Sequence, residues 1–390
     1  MARRWVAGLL GLGLVGVLGW QGLRPASGPG ESVQPGKQLA PAVAAPSAPD
    51  GRPGPGSRAA IAPAAASASA AAAGLAGLHI PPEGLEICGI GRMSAEEIRR
   101  LLQDPDADSR WERKQAALIQ RGDAALARMA LRLSSGSDRQ QVAARLLMGD
   151  VDGAALLAAP SADPVAYQLA LTACSPWISG GPVARCSQLS AQRWAQLDPA
   201  DARPWIHMLD AARQRGDPAE IDTLMAEVAA RTKLSRGAWL LVSEVASVIE
   251  TETDDAARGH ANVKVIGLDA AMVHIGLLSV MKACDSADPA HARRAPHCRA
   301  AATQLLAASS DLLEALQAQK LADRLGVPKS AQAHDAATLK AAGEALNERT
   351  SAVVGLDCAS MVSWTRFSRE RGEMGELAQA LSLVERRPPR

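Results

Sequence analysis

The chain has 390 residues, with 42 Lys and Arg against 41 Asp and Glu, six Cys, one Tyr and one Phe. A net charge of +1 excludes a strongly basic nucleic-acid binder and an acidic solvating tail alike, and 3% aromatic residues leave few stacking platforms for single-stranded nucleic acid or sugars. About a fifth of the chain is Ala, far above ordinary usage, and its distribution is uneven enough to separate the chain into three parts.

Residues 1–24 form the first part. Arg3 and Arg4 precede an uncharged run, residues 5–23, closed by Arg24. As a helix this run spans about 29 Å, close to the hydrocarbon thickness of a bilayer. Trp5 and Trp20 stand near its ends, where indole rings favour the headgroup region, and its glycines are tolerated in a membrane span. The run predicts a single transmembrane anchor in the lipid bilayer, with the paired arginines on the cytoplasmic side. The alternative is a secretory signal that is cleaved to release the rest. A cut after Ala26 would put Arg24 at the third position back, where a small residue is needed.

Residues 25–78 are rich in Pro, Gly, Ala and Ser and hold little to bury. Pro53-Gly54-Pro55-Gly56 suits neither helix nor sheet, and Ala64 to Ala73 has no amphipathic period. The expectation is a disordered leash, reaching roughly 40 Å as a coil. Residues 1–75 carry six Lys and Arg against two Asp and Glu, and the remainder 36 against 39, so the rest has no electrostatic pull toward DNA, RNA or anionic lipid.

Residues 79–390 read as an all-α domain. Ser94 and Glu97 form a capping box ahead of Ile98, Leu101 and Leu102. Val142, Leu146 and Leu147 have helical spacing, as do Leu305, Leu306, Leu312, Leu313 and Leu316. Gly122, Gly180-Gly181-Pro182, Pro199, Gly216 and Gly326 with Pro328 punctuate the helices. The best strand candidate is Asn262 to Ile266, too short and isolated to organise a sheet.

All six Cys lie in this third part, and an even number after an export signal reads as a disulfide framework, although six Cys permit 15 pairings. Proximity suggests Cys174–Cys186 and Cys284–Cys298, each across a Pro-containing connection, which leaves Cys88 with Cys358. The competing reading is zinc on Cys284, His291, His297 and Cys298; the adjacent His297-Cys298 pair is awkward for two ligands, and no second pair supports it.

The stretch Asp198-Pro199-Ala200-Asp201-Ala202-Arg203-Pro204-Trp205, continuing to Gly216-Asp217, Ile221, Leu224 and Val228, resembles a tetratricopeptide-type repeat. Trp205 opens the first helix and Gly216 permits the turn into the second. Trp111 followed by Gly122-Asp123 repeats the spacing, and Gln-Arg-Gly-Asp occurs in both copies, at 120–123 and 214–217. A weaker echo starts at Asp163-Pro164. Leu209 and Ile221 depart from the family's usual Gly and Ala, and the copies are not 34 residues apart. The resemblance implies a stacked helical-repeat scaffold that binds protein. Trp194 and Trp205 read first as wedges between helices; with Arg193 and Arg203 they are also the candidate partner-binding groove.

Catalytic patterns are weak. Ser279-Val280-Met281-Lys282 matches Ser-x-x-Lys without the companion motifs of penicillin-recognising enzymes. Asp104, Asp106 and Asp108 open like a calcium loop, but Ser109 stands at the required Gly and Gln115 at the bidentate Glu. His274 sits on an apolar stretch, as a core histidine would. No cofactor or metal is expected. The sequence thus predicts a tethered, disulfide-stapled helical-repeat domain facing the bacterial periplasm and binding a protein partner of the envelope. The alternatives are an all-α hydrolase or lyase with dispersed carboxylates, and a structural subunit of an envelope complex.

Overall fold

The computed structural model describes residues 81–103, 109–174, 183–272, 276–353 and 355–386. The expected anchor at 5–23, the leash at 25–78, Asp104, Asp106, Asp108 and His274 lie outside the described residues. Among those described, no helix is long and apolar enough to cross a membrane.

A two-stranded antiparallel hairpin comes first, β1 (Leu85–Ile87) with β2 (Gly91–Met93), in the register Leu85 to Met93. No alternation in the sequence announces it. Helix α1 (Ala95–Gln103) follows, and its start is the expected capping box: Glu97 N–H donates to Ser94 Oγ at 3.2 Å and Ser94 N–H to Glu97 Oε2 at 2.8 Å.

The first helical core holds α2 (Ser109–Leu133), α3 (Asp138–Leu147), α4 (Val151–Ala158), α5 (Pro164–Ala173) and α6 (Ala191–Leu197). Its centre is built from Met129, Val142, Tyr167, Leu169 and Trp194, joined by Leu241 and Val265 from α9 (Leu240–Glu250) and α10 (Asp255–Ala271). The second core draws on α7 (Arg203–Arg215), α8 (Pro218–Ala230), α11 (Leu278–Ala283), α12 (His291–Ala308), α13 (Leu312–Arg324), α14 (Ala336–Val353), α15 (Cys358–Met374) and α16 (Glu376–Glu385). Helix α15 joins the two: Phe367 is in the second core, while the helix also packs on α9 and α10. Burying these apolar faces, at about 25 cal/mol per Å² of apolar surface, is the main drive to fold.

Asp-Pro pairs start two of these helices. Asp163 accepts from Val165 N–H at 2.9 Å and Asp217 from Ala219 N–H at 3.1 Å, each followed by Pro in the first turn, where a missing N–H costs no bond.

Two expectations are corrected. Asn262 to Ile266 is not a strand but the middle of α10, where Ala257, Ala261 and Val265 recur every four residues and are buried. The turn expected at Gly122 does not exist, because α2 runs through it without a break. A Cβ at Gly122 would lie 2.0 Å from His260 Cδ2, so this glycine serves the close approach of α2 to α10. The second tetratricopeptide-like copy therefore lacks its turn. At the first copy, α7 and α8 do form a helix pair, with Gly216 in the left-handed region at φ 71°.

The three disulfides are Cys88–Cys358, Cys174–Cys186 and Cys284–Cys298, as proximity pairs them. Cys284 and Cys298 therefore offer no thiolate to zinc. Cys298 lies within α12, so the Cys284–Cys298 bridge ties the end of α11 to the body of a helix rather than only spanning a loop. Cys88–Cys358 fastens the hairpin to the start of α15, and Cys88 N–H adds a bond to Leu356 O at 2.7 Å.

Candidate functional site

The four residues expected to line a partner groove do not meet on one surface. Trp194 is wholly enclosed in the first core, edge-on to His207 with ring centroids 5.4 Å apart. Arg203 is interior as well, donating from Nη1 and Nη2 to Glu314 at 2.8 and 2.9 Å and from Nε to Ser235 O at 2.7 Å. Burial works against its charge, but Glu314, with Asp201 and Asp311, outweighs burial and holds the guanidinium above its ordinary value. A partner reaches neither residue without opening the core. Arg193 is exposed on α6, and half-buried Trp205 lies under the Arg231 guanidinium at 4.8 Å. Ser279 is buried with its hydroxyl bonded to Asp210, while Lys282 is exposed, so the Ser-x-x-Lys residues do not form a nucleophile and base.

A cleft lies elsewhere, where the end of α9 and the start of α10 meet α15. It encloses about 490 Å³. One face of α15 forms its floor, with Val362, Thr365, Arg366, Arg369, Glu370 and Glu373 lining it. Their spacing of three and four residues puts them in one stripe along the helix. Glu250 from α9 and Arg258 from α10 complete the wall.

The wall is fixed by ion pairs that come from far along the chain. Arg369 bonds Glu373 at 2.6 Å through Nε and also bonds Glu250. Hydrogen bonding to Glu373, then the charge of Glu250, holds this guanidinium above its ordinary value. The loop between α9 and α10 is clasped from α2: Arg128 Nη2 meets Glu252 Oε2 at 2.5 Å, and Arg121 Nε meets Asp254 Oδ2 at 2.9 Å. Burial raises both carboxylates, yet the arginine bonds win and hold Glu252 and Asp254 below their ordinary values. Asp254 also caps α10, accepting from Ala256 and Ala257 N–H.

Two of the three cleft carboxylates, Glu250 and Glu373, are thus bonded to Arg369, and Arg258 is bonded to Asp255. Arg366 and Glu370 differ. Both are exposed, and among the described residues neither side chain makes an ion pair or hydrogen bond. Sequence reasoning passed over the whole stripe, although Arg366, Arg369, Glu370 and Glu373 show its period. What the sequence does not carry is the opposite wall, supplied by residues more than a hundred positions away. The arrangement offers charge of both signs on a rigid helix and holds no nucleophile beside a base. Comparison of the chain with protein-family models, curated proteins and solved structures finds no match.

Proposed function

We propose that the protein is a membrane-tethered, exported binding domain of the bacterial envelope. In this reading residues 5–23 hold the chain in the inner membrane and residues 25–78 form a leash. The helical domain then meets a protein partner in the periplasm and does not catalyse a reaction. The observation that carries the reading is that all six cysteines are joined, leaving no free thiol. Bridges of this kind form and persist in an oxidising compartment, whereas the cytosolic thiol pool keeps cysteines reduced. The α7–α8 pair, with its turn at Gly216, supports a tetratricopeptide-like ancestry in one helix pair only. The open, ion-paired cleft suits recognition better than chemistry, because two of its three acids, Glu250 and Glu373, are engaged as acceptors.

Protease added to spheroplasts tests the address. Digestion of the helical domain in spheroplasts, with protection in intact cells and retention in the membrane fraction, is expected. A domain protected until the inner membrane is dissolved contradicts the reading.

A further inference from the structure

We propose that the α15 cleft is the partner-docking site, and that it takes a peptide segment carrying one acidic and one basic side chain about one helical turn apart. The proposal rests on the binding reading above and names the chemistry that the site recognises. Within the cleft most charges are already matched: Arg369 with Glu250 and Glu373, Arg258 with Asp255. The residual capacity is one guanidinium and one carboxylate, Arg366 and Glu370, four positions apart on α15 and both open to solvent.

A ligand of one sign gains little from such a pair, since attraction to one member is offset by repulsion from the other. A segment with a carboxylate over Arg366 and an ammonium or guanidinium over Glu370 satisfies both. Guanidinium and carboxylate also make directional bonds, which fixes the order of the two charges along the groove. The surrounding pairs hold the floor and the wall in place, so the site is formed before the peptide arrives and little is lost in ordering it. At about 490 Å³ the cleft has room for a few side chains rather than a whole domain.

The test uses the full chain in detergent micelles and labelled peptides in an alanine–serine background, read by fluorescence anisotropy at low salt. One peptide carries Glu and Lys four positions apart; the others carry two Glu, two Lys or neither. The dipolar peptide is expected to bind about tenfold more tightly than any other. The charge exchange Arg366→Glu with Glu370→Arg is expected to weaken it about tenfold, and Arg366→Gln about threefold, with unfolding midpoints unchanged because neither residue supports the fold. Equal binding of all four peptides, or a dipolar peptide indifferent to both variants, overturns the proposal. Envelope co-purification separates the two readings. If wild type and exchanged variant retain the same protein while the peptide fails to bind, the cleft assignment falls and the binding reading stands. If the peptide binds as expected and no envelope protein is retained, the assignment stands and the binding reading loses its partner.

Discussion

Arg203 and Glu314 face one another through both guanidinium Nη atoms and both carboxylate oxygens, with side chains only 1% and 7% exposed. They come from α7 and α13, so this pair joins parts of the second core that lie 111 residues apart. Removing one partner strands the other charge in the interior. Arg203→Met alone is expected to cost about 3–5 kcal/mol, and Glu314→Leu a similar amount. The double variant should cost well below the sum, since it strands neither. Urea unfolding of the four proteins of this cycle measures the difference, and additive losses would refute the coupling.

The disulfides differ in the chain they close. Cys88–Cys358 spans 270 residues, against 12 for Cys174–Cys186. In the chain-entropy picture the long bridge contributes about 5 kcal/mol and the short one about 3. Replacing both members of each bridge by Ser should lower the unfolding midpoint more for Cys88 and Cys358. The double replacement also frees the hairpin, so amide exchange at Leu85–Met93 is expected to accelerate in that variant first.

His260 supplies a pH dependence. Burial lowers its proton affinity first, the charge of Lys264 lowers it further, and Asp123 opposes both. A histidine whose folded value is depressed favours the folded state when neutral, so its contribution is full above about pH 6.5, the ordinary value, and declines as pH falls from there toward the folded value. Stability measured by denaturant titration should therefore drop on acidification below pH 6.5, and His260→Gln should flatten that drop. A second fall is expected below about pH 4. Glu252 and Asp254 have depressed values, so their contribution is present above the unfolded range and is lost as pH falls through the folded values.

Trp194 and Trp205 separate by burial. The first is fully enclosed and the second half-buried. Trp194→Ala is expected to cost about 3–5 kcal/mol through the cavity it leaves, and Trp205→Ala distinctly less. Unfolding midpoints of the two variants check the order, and equal losses would contradict it.

What the sequence made legible was local. Ser94 and Glu97 carry their capping box in four residues, and the disulfide pairs follow from proximity once the chain is taken as oxidised. The same tetrapeptide, Gln-Arg-Gly-Asp, misled because its outcome depends on what comes next. After Gly216-Asp217 stands Pro218, which cannot continue α7 and starts α8. After Gly122-Asp123 stand Ala124, Ala125 and Leu126, which continue α2. The β-branched run at Asn262 to Ile266 looked like a strand, but its period of four against the first core decided for helix. The interior fate of Arg203 and the cleft on α15 were out of reach, because Glu314, Glu250 and Arg258 are brought in by tertiary packing alone.

The proposed oxidising address of this protein depends on its cysteines being joined in the cell. The direct measurement is peptide mapping by mass spectrometry on material alkylated inside native membranes before any reductant is added. No alkylated cysteine among the six is expected, together with linked peptides joining Cys88 to Cys358, Cys174 to Cys186 and Cys284 to Cys298. Alkylation at all six positions would contradict the oxidising address and the stapled architecture together.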